Sequence, residues 1–157
     1  MENLVITKDE VDAIFSDAWV QAHHSECLKK RVGAVLVDMS DQSIIGWGFG
    51  GPKTPCKECV RKKYDWQQDG CWSIHSEMRA IFNAMDSEGW GPRELAERGK
   101  DLVMFVTHGP CDQCLKLMGL FNIPLCIYDT EYHNDYSKWE GKVRVIHRGT
   151  GDIILSE

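Results

Sequence analysis

Hydrophobic positions along the chain first fall into a helical rhythm. Val11, Ile14, Phe15, Ala18, Trp19 and Ala22 recur at three- and four-residue intervals. One face of residues 8–24 is therefore apolar, and an amphipathic helix is predicted there. Thr7-Lys8-Asp9-Glu10 ahead of it has the spacing of a capping box. The rhythm then changes. RVGAVLVD (31–38) and SIIGWGFG (43–50) read as two strands, and the polar MSDQ between them as a hairpin turn. Farther on, Met78, Ile81, Phe82 and Met85 mark the core face of a second helix, and Leu115, Met118 and Phe121 that of a third. LVMFVT (102–107), IPLCIYD (123–129) and VRVIH (143–147) supply further strands. Strands alternating with helices after an opening hairpin predict an α/β protein, a three-layer α-β-α sandwich with helices on both faces of its sheet.

Residues 51–72 break the pattern. They hold Pro52, Pro55, Cys56, Cys59, Cys71 and many charges without a period. A functional loop or a metal-stapled insertion is expected there. No repeat or linker divides the rest, and residues 1–157 are expected to form one domain.

Charge narrows the partners. The chain carries 24 acidic and 18 basic side chains, a net −6, whereas a nucleic-acid partner calls for a basic surplus. No nucleic acid is expected, and a local Lys/Arg cluster leaves a small anionic ligand open. No apolar run reaches the roughly 20 residues of a membrane helix, and MENLVITKDE has no apolar signal region. A cytoplasmic protein is expected. In a reducing compartment its seven Cys read first as metal ligands or catalytic groups.

Two motifs then combine. His75-Ser76-Glu77 is H-x-E, and Pro110-Cys111-Asp112-Gln113-Cys114 is P-C-x-x-C. Cys111 and Cys114, three apart at a helix start, share one face and can grip one metal ion, with His75 as the third ligand. Three protein ligands leave one tetrahedral position open, the mark of a catalytic zinc site. His75 and Glu77 point to opposite sides of a regular helix, so they converge only if His75 stands before the first regular turn. Glu77 then lies beside the metal without coordinating it, where a general acid/base belongs. The rival reading is a closed structural zinc completed by another Cys; Glu77 and Pro110 favour the catalytic one.

H-x-E followed by P-C-x-x-C is the signature of zinc nucleobase deaminases. The sequence resembles that superfamily and, more closely, the deoxycytidylate deaminase family. Ser25-Glu26-Cys27 to Val35, Gly48 to Pro52, His75 to Ile81 and Thr107 to Cys114 carry the likeness. The resemblance implies a five-stranded mixed sheet of the cytidine deaminase-like kind and zinc-dependent conversion of dCMP to dUMP and ammonia. It also implies a homo-oligomer, hexamer or dimer, with dCTP and dTTP as effectors. The family usually has Tyr-Asn where this chain has Phe49-Gly50, and Ala and Asn where it has Ser76 and Arg79. The missing Asn bears on substrate choice and leaves cytidine, dCTP, a modified cytosine nucleotide or guanine open. The departures leave the metal ligands and Glu77 intact, which counts against a non-catalytic zinc module.

Cys56-Lys57-Glu58-Cys59 is a second C-x-x-C, with Cys27 before it and Cys71 after it. Some relatives carry a structural zinc near this loop, and the resemblance points to Cys27 and Cys56; Cys59 and Cys71 would complete four ligands. Cys126, inside an apolar strand, is expected in the core. Candidate substrate contacts are Phe49, Gly50, Lys53, Arg31 in the basic run Lys29-Lys30-Arg31, and His108 at a strand end. Arg79 is either a surface group or a phosphate contact, and Arg61, Lys62 and Lys63 are expected on the surface. His23 and His24 end the first helix without an assigned role, and His133 and His147 are ordinary loop or strand residues. Trp47, Trp66, Trp72, Trp90 and Trp139 are expected to pack, with base stacking by Trp72 as the alternative.

Overall fold

The computed structural model describes residues 5–60, 71–149 and 154–156. Among these the elements run β1 (Val5–Thr7), α1 (Lys8–His23), β2 (Gly33–Asp38), β3 (Ser43–Phe49), α2 (Ser76–Glu88), α3 (Pro92–Arg98), β4 (Leu102–His108), α4 (Asp112–Leu120), β5 (Leu125–Thr130), β6 (Arg144–His147) and β7 (Ile154–Ser156). Five strands form one mixed sheet in the order β3-β2-β4-β5-β6. β2 is antiparallel to both β3 and β4, whereas β4, β5 and β6 are mutually parallel. β1 and β7 pair in parallel as a separate ribbon. None of the described helices is long and apolar enough to cross a membrane.

The sheet separates two cores. Phe15 and Ala18 of α1 pack with Val35, Phe105 and Ile127 on one face. On the other face Ala80, Ile81 and Ala84 of α2, Leu95 of α3, and Leu115 and Met118 of α4 pack over Leu36, Met104 and Cys126. Thr7 starts α1: its Oγ1 accepts from the Glu10 amide at 3.1 Å, one arm of the predicted capping box.

The predicted strands begin or end a residue or two off. β2 starts at Gly33, because Lys29–Val32 belong to the passage out of α1. The core face of α2 differs more. Phe82 is 54% exposed, and the buried side consists of Ser76, Glu77, Ala80, Ile81 and Ala84. The cause lies in β3. A Cβ on Gly48 would stand 2.2 Å from the Ser76 carbonyl oxygen, and one on Gly46 2.1 Å from that of Ala80. The helix lies directly on a glycine track, so its inward face must be small. Trp47 and Trp72 are also exposed, at 42% and 58%, rather than packed. Trp90 and Trp139 do pack against the α2–α4 core. Arg61, Lys62, Lys63 and Trp66 lie outside the described residues.

Candidate active site

Two helix starts meet at the carboxyl end of β4. α4 follows that strand after Gly109-Pro110-Cys111, and α2 begins beside it. His75 is the N-cap of α2, in extended conformation with φ −70° and ψ 144°. Its ring is thereby turned out of the helical series, and its Nδ1 lies 3.3 Å from both Cys111 Sγ and Cys114 Sγ. Tetrahedral zinc, with Zn–S of about 2.3 Å and Zn–N of about 2.0 Å, would separate such atoms by about 3.5 Å. The donor set therefore fits a zinc ion. Among the described residues, His75, Cys111 and Cys114 are the one group of three metal-binding side chains whose ligand atoms all lie within 4.8 Å of one another.

The two sulfurs differ in surroundings. Cys114 is fully buried and Cys111 partly so. Hydrogen bonding with Cys114 draws the Cys111 thiol down to about 4 against the opposing effect of burial, and His75 adds to the drop. Cys114 moves the other way, pushed up by its bond with Cys111, by burial and by the negative charge of Glu77. A metal ion bound here would be held by both sulfurs as thiolates, their protons released on binding. Both helix starts direct positive dipole ends toward this charge.

Glu77 is 5% exposed and accepts a 2.6 Å hydrogen bond at Oε1 from Ser76 Oγ. It lines the same cavity as His75, Cys111, Gly50, Lys30, His108 and Tyr132. His108 is turned by a 2.8 Å bond between its Nδ1 and Thr107 Oγ1, which itself accepts from the Gly33 amide. Burial and the nearby charge of Lys30, partly offset by Asp129, bring the His108 imidazole down to about 4, so it is neutral at pH 7.

The other sequence candidates are scattered. Of the basic run, Lys30 lines the cavity, with Nζ 4.6 Å from the Tyr132 ring centroid. Arg31 and Lys53 are exposed and are not among the lining residues. Phe49 is not among them either; its ring lies 4.4 Å under the Arg79 guanidinium. Arg79 is neither a free surface group nor a cavity residue. Its Nη1 donates to the Phe49 carbonyl at 2.7 Å and its Nη2 to that of Gly51 at 3.4 Å, tying the glycine-rich loop to α2. Tyr132 and the latch role of Arg79 escaped sequence reasoning. Lys30 entered it only as part of the basic run Lys29-Lys30-Arg31, and Ser76 and Arg79 only as departures from a familiar pattern.

Cys27, Cys56, Cys59 and Cys71 all line a second cavity, next to Trp72 and Leu28, but no three of their sulfurs form a group within the 4.8 Å limit. Cys27 and Ser73 line both cavities and so form a shared wall. Cys126 is fully buried in β5, as expected.

The comparisons with known proteins agree with this geometry. Residues 9–130 match the family model described as the cytidine and deoxycytidylate deaminase zinc-binding region. Deoxycytidylate deaminase of Schizosaccharomyces pombe is 29% identical over 134 residues, covering 79% of this chain and 38% of that protein. ComE operon protein 2 of Bacillus subtilis is 31% identical over 112 residues, covering 71% of this chain and 54% of that protein. The chain thus spans from just under two fifths to just over half the length of these relatives. Among solved structures, dCMP deaminase from the cyanophage S-TIM5 superposes with a TM-score of 0.67 at 20% identity, over 90% of this chain and 99% of that one. With His75, Glu77, Cys111 and Cys114 all inside the matched region, this chain belongs to the cytidine and deoxycytidylate deaminase family.

Proposed function

We propose that the chain hydrolyses the exocyclic amine of a deoxycytidine nucleotide, converting dCMP and water to dUMP and ammonia. The observation that carries this reading is the buried Glu77 carboxylate on the wall of the cavity that His75 and Cys111 also line. His75, Cys111 and Cys114 are the residues to hold zinc, which when bound polarises a water molecule and lowers its pKa. Glu77 takes one proton from the attacking water and gives it to the ring nitrogen. It then takes the second from the hydroxyl now on the ring carbon and gives it to the amine that leaves as ammonia, so the two protons of water supply both deliveries. Ser76 holds the carboxylate in place for the transfers. A neutral His108 and the backbone of Gly50 face the substrate from the cavity wall. Lys30, rather than Arg31 or Lys53, is the cation placed to meet a phosphate.

The choice of dCMP is supported by the curated relative named deoxycytidylate deaminase and by the cyanophage enzyme, whose structure was also solved in complex with dCMP and dUMP. A second reading keeps the chemistry and changes the substrate. Gly50 gives the cavity wall no side chain where the family it resembles usually carries Asn, and the loss of that polar handle supports cytidine, dCTP, a modified cytosine nucleotide or guanine as the alternative substrate. A homo-oligomer, hexamer or dimer, responsive to dCTP and dTTP belongs to the first reading. So does a second, structural zinc among Cys27, Cys56, Cys59 and Cys71.

The test is ammonia release from a panel of cytidine, deoxycytidine, CMP, dCMP, dCTP, their 5-substituted forms and guanine. dCMP is expected to give the highest kcat/KM. Turnover of guanine alone, or of nothing, overturns the proposal.

A further inference from the structure

Asp112, between the two cysteine ligands, is held by side chains from one stretch of chain, residues 134–139. It is the first residue of α4. Its Oδ1 accepts from Trp139 Nε1 at 2.9 Å and from Asn134 Nδ2 at 3.0 Å. Its Oδ2 pairs with Lys138 Nζ at 2.8 Å. The same stretch holds the residue on the other side of Cys111: Tyr136 donates its hydroxyl to the Pro110 carbonyl at 2.8 Å. Contact is close enough to forbid a side chain at Gly109, where a Cβ would stand 2.5 Å from Tyr136 Oη and 2.8 Å from Tyr132 Cβ.

A carboxylate at a helix start needs none of these partners, because the helix dipole already favours it. Ordering three side chains around it costs conformational entropy, so the arrangement serves something beyond starting α4. Cys111 is what lies in its grip. Cys114 is fixed by the core around it, being fully buried. Cys111 precedes the helix in extended conformation, at φ −85° and ψ 167°, and is only partly buried. The position of its sulfur depends on the backbone at residues 110–112, and residues 134–139 clamp that backbone from both sides.

We propose that residues 134–139 are a brace that sets zinc affinity through Asp112, which makes Asp112 a positioning residue for Cys111. The inference rests on the reading of His75, Cys111 and Cys114 as a zinc site. The brace keeps the Cys111 sulfur at the spacing an ion requires, so the ion does not have to order the turn when it binds. Partners of this outer kind typically change metal affinity by about 10–100-fold.

The experiment measures zinc affinity by competition with a chromophoric chelator, and melting temperature with and without zinc. It uses the parent chain, Asp112→Ala and Asp112→Asn. Asp112→Ala is expected to weaken zinc by about 10–100-fold and to shrink the stabilisation that zinc confers. Asp112→Asn retains an oxygen for Trp139 and Asn134 and is expected to stay close to the parent. An Asp112→Ala chain that binds zinc as tightly as the parent overturns the proposal, whatever its melting temperature. Should Asp112→Ala not fold, Trp139→Phe removes one donor and leaves a smaller aromatic ring in its place; unchanged zinc affinity there overturns the proposal equally. A parent chain that binds no zinc overturns the zinc reading itself, and the brace with it.

Discussion

Ser76 donates its hydroxyl to the carboxylate of its neighbour Glu77 at 2.6 Å, inside the first turn of α2, and both residues are buried on the cavity wall. The proton carrier and the residue that holds it can be tested separately. Glu77→Gln keeps the shape and removes the proton carrier. Deamination is expected to fall by about 10²–10⁴-fold or more, with zinc content and melting temperature unchanged. Ser76→Ala is expected to lower kcat by no more than about tenfold, or roughly 1.4 kcal/mol of barrier. Steady-state kinetics beside metal analysis decide both.

Arg79 reaches back from α2 to two carbonyls of the glycine-rich loop. Arg79→Ala removes both bonds and the cation over the Phe49 ring, while the Gly51 carbonyl keeps the Ile74 amide. A loss of about 2 kcal/mol in stability is expected from the broken charged hydrogen bonds, together with a higher KM and little change in kcat. Arg79→Lys is not expected to rescue, because a single ammonium lacks the planar fork. Denaturant melts and a KM measurement check this.

Two glycines of that region make opposite predictions. Gly48→Ala drives a methyl group into the Ser76 carbonyl and is expected to cost about 3 kcal/mol or more. Gly50→Ala meets only ordinary contacts and is expected to change stability by about 0.5 kcal/mol or less. Because Gly50 lines the cavity, its substitution should alter the substrate ranking. A Gly50→Asn chain run through the same panel reads that effect directly.

His108 carries a pH dependence whose sign is fixed. Its folded value is about 4, against an ordinary value of 6.5. Between those limits the unfolded chain takes up a proton that the folded chain refuses. Stability is therefore expected to fall as pH drops from about 6.5 to about 4, and this contribution levels off below. His108→Gln should remove that part of the acid sensitivity. Melting temperatures of both chains across pH 7 to 4 show whether the slope belongs to His108.

Metal analysis addresses the second cysteine set. Two zinc ions per chain are expected, one at His75, Cys111 and Cys114 and one in the cavity that Cys27, Cys56, Cys59 and Cys71 line. Cys56→Ser should reduce the count to one with the catalytic ion retained. A parent chain holding a single ion leaves the four thiols as packing groups.

What the sequence made legible was local. His75 and Glu77 sit at one helix start and Cys111 and Cys114 at another; spacing fixed the relation within each pair, and the resemblance to a known signature joined the two. The layered sheet was legible because β2, β4 and β5 are nearly continuous apolar runs. What was missed depends on contacts across the fold. Phe82 seemed a core residue because size was read without the facing strand, and the glycines of β3 turned the helix to present Ala80 and Ala84 instead. β1 and β7 are three residues each and lie at opposite ends of the chain, so neither has a period to detect. Lys30 and Arg31 are indistinguishable in sequence; only the path of the chain into β2 decides which one faces the cavity.

The partition made by Cys27 and Ser73 has a consequence for how this protein can change. Each residue answers to two chambers at once. A replacement at either position reshapes both linings together, whichever side it was made to suit. Alkylation of Cys27 is accordingly expected to be felt in the cavity of His75 and Glu77 as well as among the thiols.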